Sequence, residues 1–162
     1  MSDNAKSMTI IVTKGSLDWA YPPFIIGSTA AAMGLDVTLF FTFYGLQLLK
    51  KDLNLKVSPI GNPAMEMPMM GMHMAMPTLL GSLPGAEAGA TAMMKNLIKR
   101  KGVASIEELR EMSIEADVKM IACQMTIDLF EMKHEDMIDG IELGGAATYL
   151  DEATKSDINL YM

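Results

Sequence analysis

The feature that most constrains the fold is the alternation of short apolar runs with longer segments that suit helices. The first run, 8–13, precedes a helical segment from Leu17, and the second, 36–41, precedes one at 44–51 that Thr42 can cap. Strands joined by helical crossovers pair in parallel, because the chain must return to the same end of the sheet. The sequence therefore predicts an α/β fold: a single domain with a central, mostly parallel five-stranded sheet flanked by helices on both faces. The predicted strands are 8–13, 36–41, 118–122, 142–145 and 158–162.

The alternation is interrupted once, by a methionine-rich insertion at about 62–84. This segment holds four prolines and has neither a helical nor a strand period, so we expect a loop or a loosely helical excursion. The whole chain has 162 residues, a length that one hydrophobic core can serve. We therefore expect residues 1–162 to form one domain with the insertion inside it.

Charge and cysteine content restrict the partners and the compartment. A net charge of −7 argues against nucleic acid, because proteins that bind polyanions concentrate lysine and arginine. The one basic cluster, 95–101, precedes Gly102 and is typical of a helix C-terminus. A single cysteine excludes an internal disulfide and favours a reducing compartment. Residues 1–7 lack the pattern of a secretory signal, and 19–35 is short and proline-interrupted for a membrane span, so we expect a cytoplasmic protein without an integral membrane segment.

Cys123 is the residue best placed for chemistry. It follows the predicted strand 118–122 and precedes a helical segment, so it lies at the carboxyl edge of the sheet, where α/β proteins bind ligands. Backbone amides at a helix start favour the thiolate, which is the nucleophilic form. The alternative is a packed cysteine that behaves as a small hydrophobic residue. Reaction chemistry requires the sulfur to be reachable at the mouth of a pocket.

Several neighbours are candidates to line that pocket. Thr42, Phe43 and Tyr44 follow the second predicted strand, and Gln124 follows Cys123. A helix cap and a core aromatic are equally good readings of Thr42 and Tyr44. Asp128 would raise the thiol pKa if it lay close to the sulfur, so we expect it to cap or to make an outward hydrogen bond. His134 lies in a charged run and is expected at the surface.

Three stretches carry a resemblance to a known family. They are FFTFYGL at 40–46, IACQMTID at 121–128 and DGIELGGAATYL at 139–150, and the segment around Cys123 is the most specific of them. With these stretches, nearly the whole chain resembles the DsrE/DsrF-like family. The resemblance implies one α/β domain with a parallel sheet, homo- or hetero-oligomers such as trimers and hexamers, and a role in sulfur trafficking.

In active members of that family, the cysteine that matches Cys123 carries sulfur as a persulfide or thiosulfonate. It passes the sulfur to a partner thiol, so the resemblance implies donor and acceptor proteins such as a rhodanese-like protein or a small cysteine carrier. Some relatives have further cysteines, which this chain lacks, so a second thiol must come from a partner or a small molecule. Other members have no established activity, and whether this chain is a sulfurtransferase enzyme stays open.

A second hypothesis rests on the methionine-rich insertion. Seven methionines surround His73, and thioethers with one imidazole suit Cu(I), with Met72, His73 and Met74 as the nearest ligands. Methionine is also the adaptable filler of interfaces, and a lid or an oligomer contact is the favoured interpretation. The alternative function is thus a non-catalytic assembly or Cu(I)-responsive module. Gly144 and Gly145 lack the spacing of a nucleotide loop, so we expect no cofactor.

Overall fold

The structure is a computed structural model that describes residues 6–57, 66–69, 72–75 and 78–162. These residues form two compact units. The first comprises residues 6–15, 19–54 and 106–162, and the second comprises 16–18 and the described part of 55–105. The strands are β1 (Ser7–Val12), β2 (Asp36–Phe41), β3 (Glu66–Met69), β4 (Met72–Ala75), β5 (Lys119–Cys123), β6 (Glu142–Gly144) and β7 (Ile158–Tyr161). The helices are α1 (Leu17–Ala32), α2 (Thr78–Gly81), α3 (Ala86–Arg100), α4 (Ile106–Glu115), α5 (Gln124–Leu129), α6 (Ala146–Ala153) and two 3₁₀ helices, η1 (Phe43–Leu49) and η2 (His134–Asp136).

The first unit contains a five-stranded sheet in the order β6-β5-β2-β1-β7, and all its pairs are parallel. This confirms the predicted α/β class and its five strands. Strands of a parallel sheet are near-continuous apolar runs, because helices cover both faces of the sheet. Their positions could therefore be predicted from the sequence. Since all five strands point the same way, the C-termini of β2, β5 and β6 meet at one edge, where Thr42, Cys123 and Gly144 lie side by side.

Helices cover both faces of this sheet, as predicted. On one face, Gly27 of α1 approaches Leu39 and Val37 closely, and the Phe24 ring lies 6.1 Å from that of Phe41. On the other face, α6 brings Tyr149 to within 5.2 Å of Phe40, measured between ring centroids. The sheet therefore has an α1 face and an α6 face. Cys123 lies on the α6 face, in a cluster with Phe40 and Ile121.

The segment after β2 differs from its prediction. A helix over 44–51 was expected, whereas residues 43–49 form the 3₁₀ helix η1. Gly45 explains the tighter winding, because its N–H donates to the carbonyls of Thr13 and Thr42. A Cβ at this glycine would lie 2.2 Å from the carbonyl oxygen of Val12. The absence of a side chain at Gly45 thus lets η1 begin directly beside the end of β1.

The second unit contains α2, α3 and the pair β3–β4. The N–H of Val57 donates to the Thr91 hydroxyl of α3 at 3.1 Å, and Lys56 pairs with Glu87 at 2.9 Å. The basic residues Lys99 and Arg100 occupy the last turn of α3, which confirms the predicted helix C-terminus.

The methionine-rich insertion is partly regular. β3 and β4 pair antiparallel, so the expectation of a loop or loosely helical excursion was wrong for these two runs. Methionine recurs at every second position in both strands, and this strand period was overlooked because the prolines in and around them favour a loop. Only the backbone of these strands is described, and the side chains of the proposed Cu(I) ligands Met72, His73 and Met74 lie outside the described residues.

Within the described ranges, none of the helices has both the length and the apolar character needed to cross a bilayer.

Candidate functional site

The candidate site is built around Cys123, the last residue of β5 and the N-cap of α5. Its strand neighbours are defined by register: Ala122 pairs with Phe41, so Thr42 follows beside Cys123 on one side, and Gly144 pairs with Cys123 on the other. A Cβ at Gly144 would come within 2.9 Å of Ile121, so glycine is needed there for close strand packing. The sulfur thus lies between a threonine and a glycine.

Cys123 is buried, with 4 % of its surface exposed. Phe40 and Ile121 pack with it, and the half-buried Ile11 and Tyr149 pack against that cluster. A surface cavity of about 360 Å³ lies at the other end of β5, lined by residues that include Asp117, Lys119 and Glu142, so it does not open at the sulfur. The expectation of a sulfur at the mouth of a pocket stays a prediction. Cys123 lies at the edge of the sheet, and neighbouring side chains cover it.

The surroundings of the sulfur are nevertheless polar. Burial raises the pKa of the Cys123 thiol, but hydrogen bonding from the Thr126 hydroxyl and N–H, from the Thr42 hydroxyl and from the Met125 N–H outweighs it. The net effect lowers the pKa below its usual value of 9.0. Cys123 forms no side-chain capping bond to α5 in this structure, so these donors lie near the sulfur without a fully formed hydrogen bond to it. Ionisation would strengthen each of them.

Two threonines connect the sulfur to η1. Thr126 is completely buried, and its Oγ1 lies 3.2 Å from the Oγ1 of Thr42. The N–H of Phe43 donates to the same Thr126 oxygen at 3.3 Å. Phe43 reaches this position with a φ of +48°, in the left-handed region that non-glycine residues rarely adopt. The backbone at the start of η1 is thus held in an uncommon conformation beside the site.

Exposed aromatic side chains lie next to these polar groups. Phe43 is 45 % exposed and Tyr44 is 64 % exposed. Tyr44 stacks on Phe130 with ring centroids 5.7 Å apart, and Phe43 meets the same ring edge-on at 6.3 Å. Met125 and Leu129 of α5 are exposed as well. An apolar surface therefore borders the buried sulfur on the side of η1 and α5.

The structure brings together some of the predicted site residues and separates others. Thr42 lies beside Cys123, and Phe43 contributes its backbone N–H to the threonine pair. The ring of Tyr44 contacts Phe130 on the surface and is not a core aromatic. Gln124 is exposed and donates to Asp128 at 2.8 Å, which confirms the outward hydrogen bond expected of that carboxylate. His134 is exposed in η2, as expected.

Thr126 is a residue of the candidate site that the sequence analysis did not single out. The signal was present in the stretch CQMT, because an N-cap residue and the residue three positions later face each other across the first helical turn. A buried threonine at the third position then places its hydroxyl near the cap side chain. Within the part of the chain that the structure describes, no group of three or more histidine, cysteine or acidic side chains is placed to hold a metal ion.

Comparisons with known proteins agree on one relationship. A sequence model described as the DsrE/DsrF/DrsH-like family matches residues 4–161. The chain is 62 % identical over 157 residues to the "Sulfur carrier protein DsrE2" of Allochromatium vinosum, covering 97 % of this chain and 98 % of that one. It is 33 % identical over 165 residues to the "Uncharacterized protein YrkE" of Bacillus subtilis, with both chains covered completely. The crystal structure of the E. coli ychN protein superposes with a TM-score of 0.53 at 12 % identity, covering 97 % of this chain and 99 % of that one, which supports the fold alone.

Proposed function

Because the chain belongs to the DsrE/DsrF/DrsH-like family, we propose that it is a sulfur carrier that binds sulfane sulfur on Cys123 and passes it to a partner thiol. The observation that carries this proposal is the position of the only cysteine of the sequence at the N-cap of α5, beside the bonded hydroxyls of Thr42 and Thr126. The 62 % identity to a protein named as a sulfur carrier supports the same function.

The chemistry consists of two exchanges at sulfur. In loading, the Cys123 thiolate attacks the outer sulfur of a donor persulfide, a bond forms between the two sulfurs, and the donor leaves as a thiolate. In discharge, an acceptor thiolate attacks the sulfur now held by Cys123, and Cys123 leaves as a thiolate. Electrons balance in both steps without an external oxidant or reductant. A thiosulfonate on Cys123 is the corresponding product of a tetrathionate donor.

Burial of Cys123 is the observation that favours the alternative, a non-catalytic assembly in which the cysteine only packs. Thr42 and Thr126 support the carrier function instead. Cys123 has apolar neighbours in Phe40 and Ile121, but the fully buried Thr126 lies beside it as well, with its hydroxyl bonded to that of Thr42. Burying a hydroxyl costs free energy unless it is hydrogen-bonded, and a cysteine that only packs gains nothing from two hydroxyls beside it.

Transfer then requires that the sulfur become reachable. We propose that α6 is the element that moves, since none of its residues is buried and it covers the face on which Cys123 lies. Helices with few buried contacts open locally at a lower free-energy cost than the rest of a domain. Tyr149 is the side chain of α6 that packs against the cysteine cluster.

The partners and the assembly complete the proposal. We expect a rhodanese-like donor and a small cysteine-bearing acceptor, a homo-oligomer such as a trimer or hexamer, and a cytoplasmic location, where thiols stay reduced. The exposed aromatic surface of Phe43, Tyr44 and Phe130 is compatible with such contacts. Native mass spectrometry of the purified chain measures the subunit number, and a monomer at micromolar concentration would contradict the oligomer.

The experiment that tests the function is direct because the chain has one thiol. The folded protein is incubated with polysulfide or tetrathionate, excess reagent is removed, and the intact mass is measured. We expect an adduct on the native protein that is absent in Cys123→Ser and is removed by a small thiol. If the native thiol stays unmodified while the urea-unfolded chain reacts, the sulfur is sealed and the carrier function is wrong.

The copper hypothesis stays a prediction, with metal binding the disfavoured outcome. Cu(I) titration in competition with a chelator should give the same affinity for the wild type and for a variant with Met72 and Met74 replaced by leucine. A marked loss of affinity in that variant would support a thioether site.

A further inference from the structure

The threonine pair beside the sulfur has a fixed count of hydrogens. A hydroxyl carries one proton and two acceptor lone pairs. The Phe43 N–H can only donate, so it occupies a lone pair of Thr126 Oγ1. The bond between the oxygens of Thr42 and Thr126 uses one hydroxyl proton, whichever residue donates it. One hydroxyl proton of the pair is therefore always left over.

The remaining proton has the Cys123 sulfur within reach. Thr42 follows beside Cys123 by strand register, and Thr126 lies completely buried in the first turn of α5, the helix that Cys123 caps, so both hydroxyls lie beside the sulfur. If Thr42 donates to Thr126, the Thr126 proton is available to the sulfur. If Thr126 donates to Thr42, the Thr42 proton is available. The pair thus supplies an O–H donor to the sulfur in either arrangement.

These donors converge on the sulfur bonded to the protein, the inner sulfur of a loaded persulfide. In the loaded state the negative charge lies on the outer sulfur, and the inner sulfur is neutral. When the acceptor breaks the bond between the two sulfurs, the electron pair and the charge move to the inner sulfur. Donors at this atom therefore interact more strongly in the transition state of discharge than in the loaded ground state, which is the condition for catalysis.

Resting on the proposed carrier function, we propose that Thr126 and Thr42 are catalytic residues of the discharge step, which hold the Cys123 thiolate as it leaves. In that step a bond forms between the acceptor sulfur and the outer sulfur, and the bond between the outer sulfur and Cys123 Sγ breaks with its electron pair on Sγ. The hydroxyls donate hydrogen bonds and keep their protons. The acceptor gains the sulfur as its own persulfide.

The two half-reactions then respond in opposite directions to loss of a hydroxyl. A thiolate of lower pKa leaves faster but attacks less strongly. Removing a donor makes Cys123 a poorer leaving group and a better nucleophile at a pH where it is fully ionised. A variant damaged only in its structure would not slow one exchange while sparing or accelerating the other.

The test uses Thr126→Val, which keeps the branched shape and removes the hydroxyl, with Thr126→Ser as the rescue. The full chain is loaded with polysulfide, and the loading rate is measured by quenched mass spectrometry at a pH where Cys123 is ionised in each protein. Discharge is measured as the appearance of alkylation-trapped N-acetylcysteine persulfide after adding N-acetylcysteine. We expect discharge to slow about tenfold in Thr126→Val, loading to be unchanged or up to about threefold faster, and Thr126→Ser to restore both rates.

Thr42→Val is the second variant and keeps the test decisive where Thr126→Val fails to fold, since Thr42 is only half-buried. It is expected to slow discharge in the same direction. Equal slowing of loading and discharge, or unchanged discharge in a folded variant, would overturn the catalytic role. Failure of the wild-type protein to take up any sulfur would instead overturn the carrier function itself.

Discussion

The two faces of the sheet are closed to different degrees. On the α1 face, Ile10, Leu39 and Phe41 are fully buried, and Phe24 of α1 is fully buried against them. On the α6 face, Ile121 is fully buried too, but Ile11 is only half-buried, and α6 itself has no buried residue. The cysteine lies on the less closed face. The difference teaches that packing on the α1 face provides most of the stability. On the α6 face the covering helix can open locally, and an exchange reaction at sulfur requires such opening.

The α6 face is also the more polar one. Thr9 and Thr38 lie side by side on it by register, and Lys119 lies next to Thr38 on β5. On the α1 face the same strands present Met8, Val37 and Met120. The hydroxyls of Thr9 and Thr38 and the ammonium group of Lys119 limit how much apolar area α6 can bury on this face. Such a face is therefore covered by the short helix α6, which packs on it through the aromatic ring of Tyr149.

The largest expected effect on this comparison comes from replacing the adjacent residues Phe40 and Phe41, which lie on opposite faces of the sheet. Phe41→Ala opens a cavity in the α1 face and should lower the free energy of unfolding by about 4 kcal/mol. Phe40→Ala should cost less, about 2–3 kcal/mol, because Tyr149 on the loosely held α6 can move toward the space. Urea unfolding of the two variants measures both values. Equal losses would contradict the difference in closure.

Reactivity of the thiol gives the second test. Tyr149→Ala removes the ring that packs against the cysteine cluster, so an aromatic disulfide reagent should modify Cys123 about tenfold faster than in the wild type. Leu150→Ala is the matched control, because Leu150 is the next residue of α6 and is 56 % exposed. It should leave the rate unchanged. If both variants react at the wild-type rate, access to the sulfur does not involve α6.

The dependence of stability on pH gives the smallest expected effect. The folded state lowers the pKa of the Cys123 thiol below 9.0, so it favours the thiolate relative to the unfolded chain. Its contribution is complete above pH 9, the unfolded value, and is lost as the pH falls through the folded pKa. The stability of the wild type relative to Cys123→Ser should therefore rise between the folded pKa and pH 9. Reductant-containing urea titrations across this interval measure it.

A matched variant makes that measurement specific. In Thr126→Val the side-chain donor is gone, so the rise in stability with pH should be smaller than in the wild type. A rise that persists unchanged in the valine variant would assign the lowered pKa to the Thr42 hydroxyl and the backbone N–H groups of Met125 and Thr126.

Much of the sheet could be predicted from sequence, because parallel strands buried on both faces are apolar runs that need no knowledge of their neighbours. The position of Cys123 at a carboxyl edge followed from the same pattern. Its burial did not, because exposure depends on how closely β6 and α6 approach β5, and this is set by Gly144 and Tyr149 from remote parts of the chain. Thr126 was missed because its partner Thr42 is 84 residues away.

The end of α6 that lies farther from the sulfur is held by an ion pair, whereas Tyr149 holds the helix by an aromatic contact. Lys119 bonds Glu152 at 2.8 Å and Glu142 at 3.2 Å, and these hydrogen bonds raise the pKa of the lysine despite its partial burial. Partly exposed ion pairs weaken as dissolved salt screens them, whereas aromatic contacts do not. Ionic strength thus acts on one anchor of the helix and leaves the hydroxyl donors at Cys123 untouched.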